Sequence, residues 1–218
     1  TLRHLLAMNS GLDWPEWGEW DYYFQPMIDS PDWVAFVLGR PMVADPGALF
    51  NYNTGGSQVL SAAGGKAAGM PAADFARREL FDPIGIGKVA WGGDPDGVST
   101  GGYGIRMCAR DAAKLAFLYL NGGAWAGRQV VPRAWVAEST REQSAGNAWF
   151  GRYGLHWWLR PLADSRARSA FFAMGYGGQY LFVVPSLDLV AVFFSWMPGE
   201  PSFQPLRWLE EHVVAAAR

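Results

Sequence analysis

The sequence predicts an α/β chain of the α+β type: an antiparallel sheet flanked by helices, preceded by a mostly helical lobe. Two observations carry this. Residues 1–145 hold short helical patterns between Gly- and Pro-rich turns, whereas residues 146–218 change to runs of aromatic and β-branched residues and then close with a helix. The strand-like runs 169–176, 179–184 and 189–195 are joined by GYGG and PSLD, which are tight connections, so neighbouring strands run antiparallel.

The elements follow in order. Leu2–Met8 is a short apolar helix stopped by Asn9-Ser10-Gly11, and residues 12–29 read as a Trp- and Tyr-rich loop. In SPDWVAFVL, Ser30 is an expected N-cap with Pro31 at the first helical position. Residues 58–68 form a small-residue helix ended by Gly69, and 72–80 another. Arg110-Asp111 opens DAAKLAFLYLNGG, with apolar residues at three- and four-residue spacing, and 132–139 is one more helix. Tyr153–Leu159 reads as a strand. The closing helix, 203–217, is apolar at Phe203, Leu206, Leu209 and Val213 and should cover one face of the sheet.

Composition narrows the function classes. The 218 residues are half hydrophobic, only 17% charged, and carry a net charge of -2. That suits one sizeable core or two lobes, and it gives no electrostatic pull toward nucleic acid. No apolar run reaches the length of a transmembrane segment. One cysteine, Cys108, excludes an internal disulfide, and its default reading is a packed thiol. His4, His156 and His212 lie far apart without metal-ligand spacing, so neither a metal nor a cofactor is expected. His156 in YGLHWW reads as a satisfied strand histidine. The compartment and the oligomeric state stay open.

Three stretches could carry chemistry. PGALFNYNTGGSQVL (46–60) places Tyr52 between a Pro-Gly turn and a glycine pair. A phenol titrates near 10, so Tyr52 could take a proton only beside a cation; otherwise it is an aromatic packed at a turn. GYGGQYLFVVP (175–185) has Gly177-Gly178, which lets backbone approach a ligand closely, and the N–H of Gln179 could form half of an oxyanion hole. A plain hairpin turn explains the same residues. Gly101-Gly102 in DPDGVSTGGYGIRMCARDAAKL reads as a glycine-rich turn before a helix, and Ser99 and Thr100 belong to it. Asp13 and Glu16, among tryptophans, read as a solvated loop edge or a binding rim.

Taken in order, these motifs resemble the serine β-lactamase-related hydrolases: class C β-lactamases, penicillin-binding proteins, esterases and the 6-aminohexanoate-dimer hydrolase type. The order is LRHLLxMxSGL, PGxxFxYNTGGSQVLSA, LFxPIGI, STGGYGIxMxxRDxAKL, VVPxAWVxEST, YGxxWW and GYGGQYxFVVPxLDLV. The resemblance spans essentially the whole chain and implies a β-lactamase/transpeptidase-like fold. It also implies a site of three motifs: Ser-x-x-Lys, Tyr-x-Asn and a Lys- or His-x-Gly strand. The second is similar to Tyr52-Asn53-Thr54, with Thr54 where asparagine is usual. The third lies within Gly175, Tyr176, Gly177, Gly178 and Gln179, with tyrosine in place of the cation, which suits neutral esters or amides. Tyr52 and Gln179 would be catalytic. Thr54 and Gly175–Gly178 would bind substrate, and from composition alone the aromatic loop with Trp14, Trp17, Trp20, Tyr22 and Tyr23 is expected to form part of the cleft mouth.

No serine in the chain is followed three residues later by lysine, so the first motif is absent. Thr1 and the leaderless helix after it suggest an N-terminally truncated chain, with the nucleophile helix and part of the α/β lobe upstream. On that expectation the parent is an acyl-transferring serine hydrolase and this chain alone is inactive. The alternatives are a non-catalytic binding protein of the same fold, or a D-Ala-D-Ala peptidase or β-lactamase acting on cell-wall-type substrates.

Overall fold

The computed structural model describes residues 1–17, 20–164, 166–167 and 169–217, without the side chains of Trp20 and Asp21. Two compact units emerge: Thr1–Arg106 with Gln143–Gly146, and Met107–Glu142 with Asn147–Arg218. The fold is of mixed helices and antiparallel sheet, as the sequence predicts. No helix among the described residues is long and apolar enough to cross a membrane.

The first unit is built on helices α1 (Leu2–Leu6), α2 (Trp20–Asp29), α3 (Trp33–Leu38), α4 (Thr54–Ala68) and α5 (Ala72–Ala76). The stretch read as a loop over 12–29 therefore turns helical from Trp20. Its apolar residues explain why: Tyr23, Phe24 and Met27 lie three to four apart and enter one cluster with Leu12, Trp14, Trp33, Val37 and Val59. The cap of α3 is Asp32, whose Oδ1 accepts from the Ala35 N–H at 2.8 Å. Ser30, the expected cap, instead donates its hydroxyl to the Met27 carbonyl and closes the helix before it.

Helix α4 starts four residues earlier than the pattern suggests. Asn53 caps it, accepting the Gly56 N–H at 2.7 Å, so the glycine pair 55–56 is helical. A Cβ at Gly55 would lie 2.5 Å from the Trp14 ring, so a larger residue there would evict Trp14 from the core. The helix ends at Gly69, as its sequence predicts.

The second unit contains α6 (Ala109–Leu120), the small hairpin β1 (Ala124–Trp125) and β2 (Arg128–Gln129), and α7 (Arg133–Ser139). Strand β3 (Ser144–Asn147) spans the boundary between the units. Then come β4 (Gly151–Tyr153), β5 (Trp158–Pro161), β6 (Ser169–Gly175), β7 (Gln179–Val184) and β8 (Leu189–Phe193), each antiparallel to the next. The single strand expected over 153–159 is two strands and a turn. His156 sits in the turn at φ +60, and the Gly154 N–H closes it on the Trp157 carbonyl at 2.7 Å.

Both faces of this sheet are covered. On one, Trp158, Phe172, Tyr180, Phe182 and Phe193 form a ladder of rings, with Trp208 of α8 (Gln204–Trp208) packed on Phe193. On the other, Phe171 meets Trp157 and Tyr119 of α6. Fully buried Phe172 and Phe182 each contribute about 1.5–3 kcal/mol through burial alone. The closing helix is less regular than its pattern, with a 3-10 turn before α8 and a wider π turn after it.

Candidate active site

The first group of candidate residues surrounds Tyr52. Its flanks are tethered to an earlier segment: the Asn51 N–H donates to the Met8 carbonyl at 2.7 Å, and the Asn51 side chain donates to the Leu12 carbonyl at 3.1 Å. The Asn53 N–H reaches the Met8 sulfur at 3.2 Å. Tyr52 is therefore held on both sides immediately before α4, and its half-buried ring lies against Trp17, centroids 5.7 Å apart.

Glu16, which its sequence places at a loop edge, is bound into the start of α4. Its Oε1 accepts the Thr54 hydroxyl at 2.6 Å, and its Oε2 accepts the Thr54 N–H at 3.0 Å and the Trp14 indole N–H at 2.6 Å. It is a second cap on α4, where unpaired N–H groups and the helix dipole favour a carboxylate. Burial raises its pKa, and these three bonds pull the other way. Nothing in a Glu between Pro15 and Trp17 signals this, because the partner lies 38 residues away. Asp13 is likewise engaged, accepting the Tyr23 hydroxyl at 2.6 Å.

The aromatic loop divides. Trp17 and Tyr22 are about half exposed, at 49% and 57%, while Trp14 (2%) and Tyr23 (8%) belong to the core. The Trp20 side chain lies outside the described residues. Thr54 is buried, and its hydroxyl proton is committed to Glu16. The Tyr52 phenol is raised above its ordinary value, first by burial and then by the Glu16 charge. The Tyr52 phenol is therefore neutral at pH 7. A base role requires the cation that the resemblance supplies from the Ser-x-x-Lys motif.

Gly101 and Gly102 are more than turn residues. The Gly101 N–H donates to Gln58 Oε1 at 2.8 Å, and Gln58 Nε2 donates to Asp94 at 2.9 Å, which fastens the segment flat against α4. Ser99 and Thr100 serve the same structure, with the Ser99 hydroxyl oxygen accepting the Ala73 N–H.

The second group lies in the sheet unit. Gly175 pairs with Gln179, and Tyr176-Gly177-Gly178 form the hairpin tip. Gly177 and Gly178 have φ of +80 and +89, which side chains rarely adopt, and a Cβ on Gly178 would lie 2.3 Å from the Ser195 hydroxyl. The segment after β8 buttresses the tip. The Ser195 hydroxyl lies 2.8 Å from the Gly178 carbonyl, the Met197 N–H donates to the Gly177 carbonyl at 2.9 Å, and the Gln179 side-chain amide donates to the Ser195 carbonyl. Tyr176 and Trp196, both exposed, meet edge-on at 5.9 Å. Ser195 and Trp196 were not legible as site neighbours, since only the return of the chain beside the tip brings them there.

The remaining candidates are His156 and Cys108. Burial pulls His156 down to about 4, so it is neutral at pH 7, and its Nε2 is buried without a hydrogen-bond partner. The satisfied strand histidine expected there is thus an unsatisfied turn histidine. Cys108, expected to pack, is exposed at the start of α6, where the chain enters the helix extended. Among the described residues no cluster of His, Cys, Asp or Glu could hold a metal ion.

The Beta-lactamase family model matches residues 1–215. The chain belongs to the Beta-lactamase family. Solved structures agree in fold. A Bacillus anthracis protein assigned to the 6-aminohexanoate-dimer hydrolases superposes with a TM-score of 0.77 at 21% identity, covering 100% of this chain and 62% of that one. A Mycobacterium bovis beta-lactamase gives 0.73 at 20%, covering 99% and 73%. EstCE1, described as a hydrolase with promiscuous acyltransferase activity, gives 0.76 at 17%, covering 94% and 69%. The chain therefore spans about two thirds of the length of these proteins. No curated protein matches it.

Buried phenols make an alkaline prediction. Tyr52 and Tyr180 are both raised, in each case first by burial. In the unfolded chain they titrate near 10. A raised folded value means that the folded state keeps protons the unfolded state has lost. The stabilisation is therefore full below pH about 10 and declines as pH rises beyond it. The urea midpoint should fall steeply between about pH 10 and 12, and Tyr180→Phe should flatten that fall. A midpoint constant over this range would show the phenols to be accessible.

Proposed function

We propose that the complete protein is a serine hydrolase that cleaves a neutral ester or amide through an acyl-serine intermediate. The observation that carries this reading is the tethering of Tyr52 on both sides, at the start of α4, in a chain of the Beta-lactamase family. The serine and lysine of a Ser-x-x-Lys pair must then lie outside these 218 residues, because no such pair occurs within them. Two proteins similar in fold support it: the B. anthracis protein is named as a 6-aminohexanoate-dimer hydrolase, and EstCE1 as a hydrolase with promiscuous acyltransferase activity.

The steps follow from the groups available. The serine oxygen attacks the carbonyl carbon, and its proton passes to the lysine–Tyr52 pair. The carbonyl oxygen, now negative, is held by the Gln179 N–H and the serine's own N–H. The C–O or C–N bond breaks, and Tyr52 returns the proton to the departing alcohol or amine. Water, activated by the same pair, then releases the acid. With Tyr176 where the family carries a cation, this position offers no positive charge to a substrate carboxylate, and this favours neutral substrates over β-lactams.

The test is a comparison of substrates on the complete protein. A fluorophosphonate probe should label one serine, and p-nitrophenyl esters should be hydrolysed with a higher kcat/KM than a chromogenic β-lactam or a D-Ala-D-Ala peptide. Preference for the β-lactam or the peptide would reverse the substrate assignment. Absence of both labelling and hydrolysis would leave a binding protein.

A further inference from the structure

Three consecutive contacts join the turn at residues 14–17 to the start of α4. The Trp14 ring fills the space above Gly55, where a Cβ would stand 2.5 Å away. The Glu16 carboxylate holds both the N–H and the hydroxyl of Thr54. The Trp17 ring lies against Tyr52. Within this set Glu16 is the hub, because its Oε2 also holds the Trp14 indole at 2.6 Å and so sets the orientation of that ring. A half-buried carboxylate is costly unless its oxygens are satisfied, and three donors converge on it here. An apolar residue here would leave the Thr54 N–H and hydroxyl and the Trp14 indole N–H without this acceptor, so the carboxylate is what ties the turn to the helix.

We propose that Glu16 is a positioning residue for Tyr52: its carboxylate locks the Trp14–Trp17 turn onto the first turn of α4 and so aims the phenol. This rests on the reading of Tyr52 as the proton relay. The geometry has an electrostatic consequence. The Glu16 charge acts on the phenol and opposes its ionisation. Tyr52 thus stays a hydrogen-bond donor until the nucleophile's lysine or the substrate changes the balance.

The experiment is Glu16→Gln in the complete protein. Glutamine keeps the shape and one acceptor oxygen but removes the charge. The ionisation midpoint of Tyr52 is read from phenolate absorbance, with Tyr52→Phe as the blank. It should fall by about 1 unit, because burial rather than the Glu16 charge is the larger cause of its rise. The kcat for an ester should fall about 10²-fold with KM nearly unchanged, as for a misaimed group. Glu16→Asp, which keeps the charge, should restore the midpoint. An unmoved midpoint in Glu16→Gln overturns the proposal even if activity falls. Should that variant not fold, the wild-type midpoint decides instead: a Tyr52 that ionises near 10, like a free phenol, overturns it. The two readings separate cleanly. A shifted midpoint with Tyr52→Phe still fully active keeps the Glu16 anchor and removes the catalytic role. An unmoved midpoint with Tyr52→Phe inactive does the reverse.

Discussion

Tyr52→Phe in the complete protein is expected to lower kcat/KM for an ester about 10²–10⁴-fold, the usual contribution of a positioned acid–base group. The substitution deletes one oxygen and leaves the ring, so the contact with Trp17 and the tethers through Asn51 and Asn53 should survive. The fall should therefore come without loss of fold, which circular dichroism and the denaturation midpoint would verify. It should also appear mainly in kcat, because the phenol moves a proton in the transition state rather than binding the ground state. Unchanged turnover would remove Tyr52 from the mechanism. The chemistry would then rest on the serine–lysine pair, and the tethered turn at 51–53 would be scaffolding for α4.

Gly101→Ala should have the largest effect on stability. A Cβ there would stand 1.9 Å from the Ser57 carbonyl oxygen, 2.3 Å from its carbon and 2.6 Å from the Gln58 nitrogen. All three are backbone atoms of α4, so no rotamer change relieves the clash. The segment must lift off the helix, and the Gly101 N–H then loses Gln58. Overpacking of this kind costs about 3 kcal/mol or more, which for a chain of this size lowers Tm by roughly 6–12 °C. Gly64→Ala is the matched control. Gly64 lies inside the same helix, and an added Cβ meets nothing within 4 Å. That change should stabilise by about 0.5–1 kcal/mol, since alanine favours the helix. Equal effects from the two substitutions would mean that the 101–102 segment does not lie on α4.

Much of this was legible because it is local. The strand 179–184 is legible to the residue, since Gln179 follows a glycine turn and Val184 precedes a proline. The end of α4 at Gly69 followed from the glycine itself, and the antiparallel order of β6, β7 and β8 from the shortness of their connections. The family was legible through the order of its motifs and is borne out over residues 1–215. Where the reading missed, a distant partner had overridden a local rule. Trp20–Asp29 is helical because Tyr23, Phe24 and Met27 find a core supplied by Trp33, Val37 and Val59. His156 leaves the strand because the chain must reverse between β4 and β5.

The sequence by itself determined the class of fold, the family, and the tight backbone of the 175–179 hairpin. Each is written in spacing, in Gly and Pro, and in side-chain alternation, which act over a few residues. Only the tertiary structure decided that Glu16 caps α4 rather than meeting solvent, that Trp14 is core while Trp17 touches Tyr52, and that Ser195 and Trp196 buttress the hairpin tip. The physical reason is common to all of them. A carboxylate, an indole or a hydroxyl takes its role from the donor, acceptor or ring it meets, and here that partner lies 16 to 41 residues along the chain.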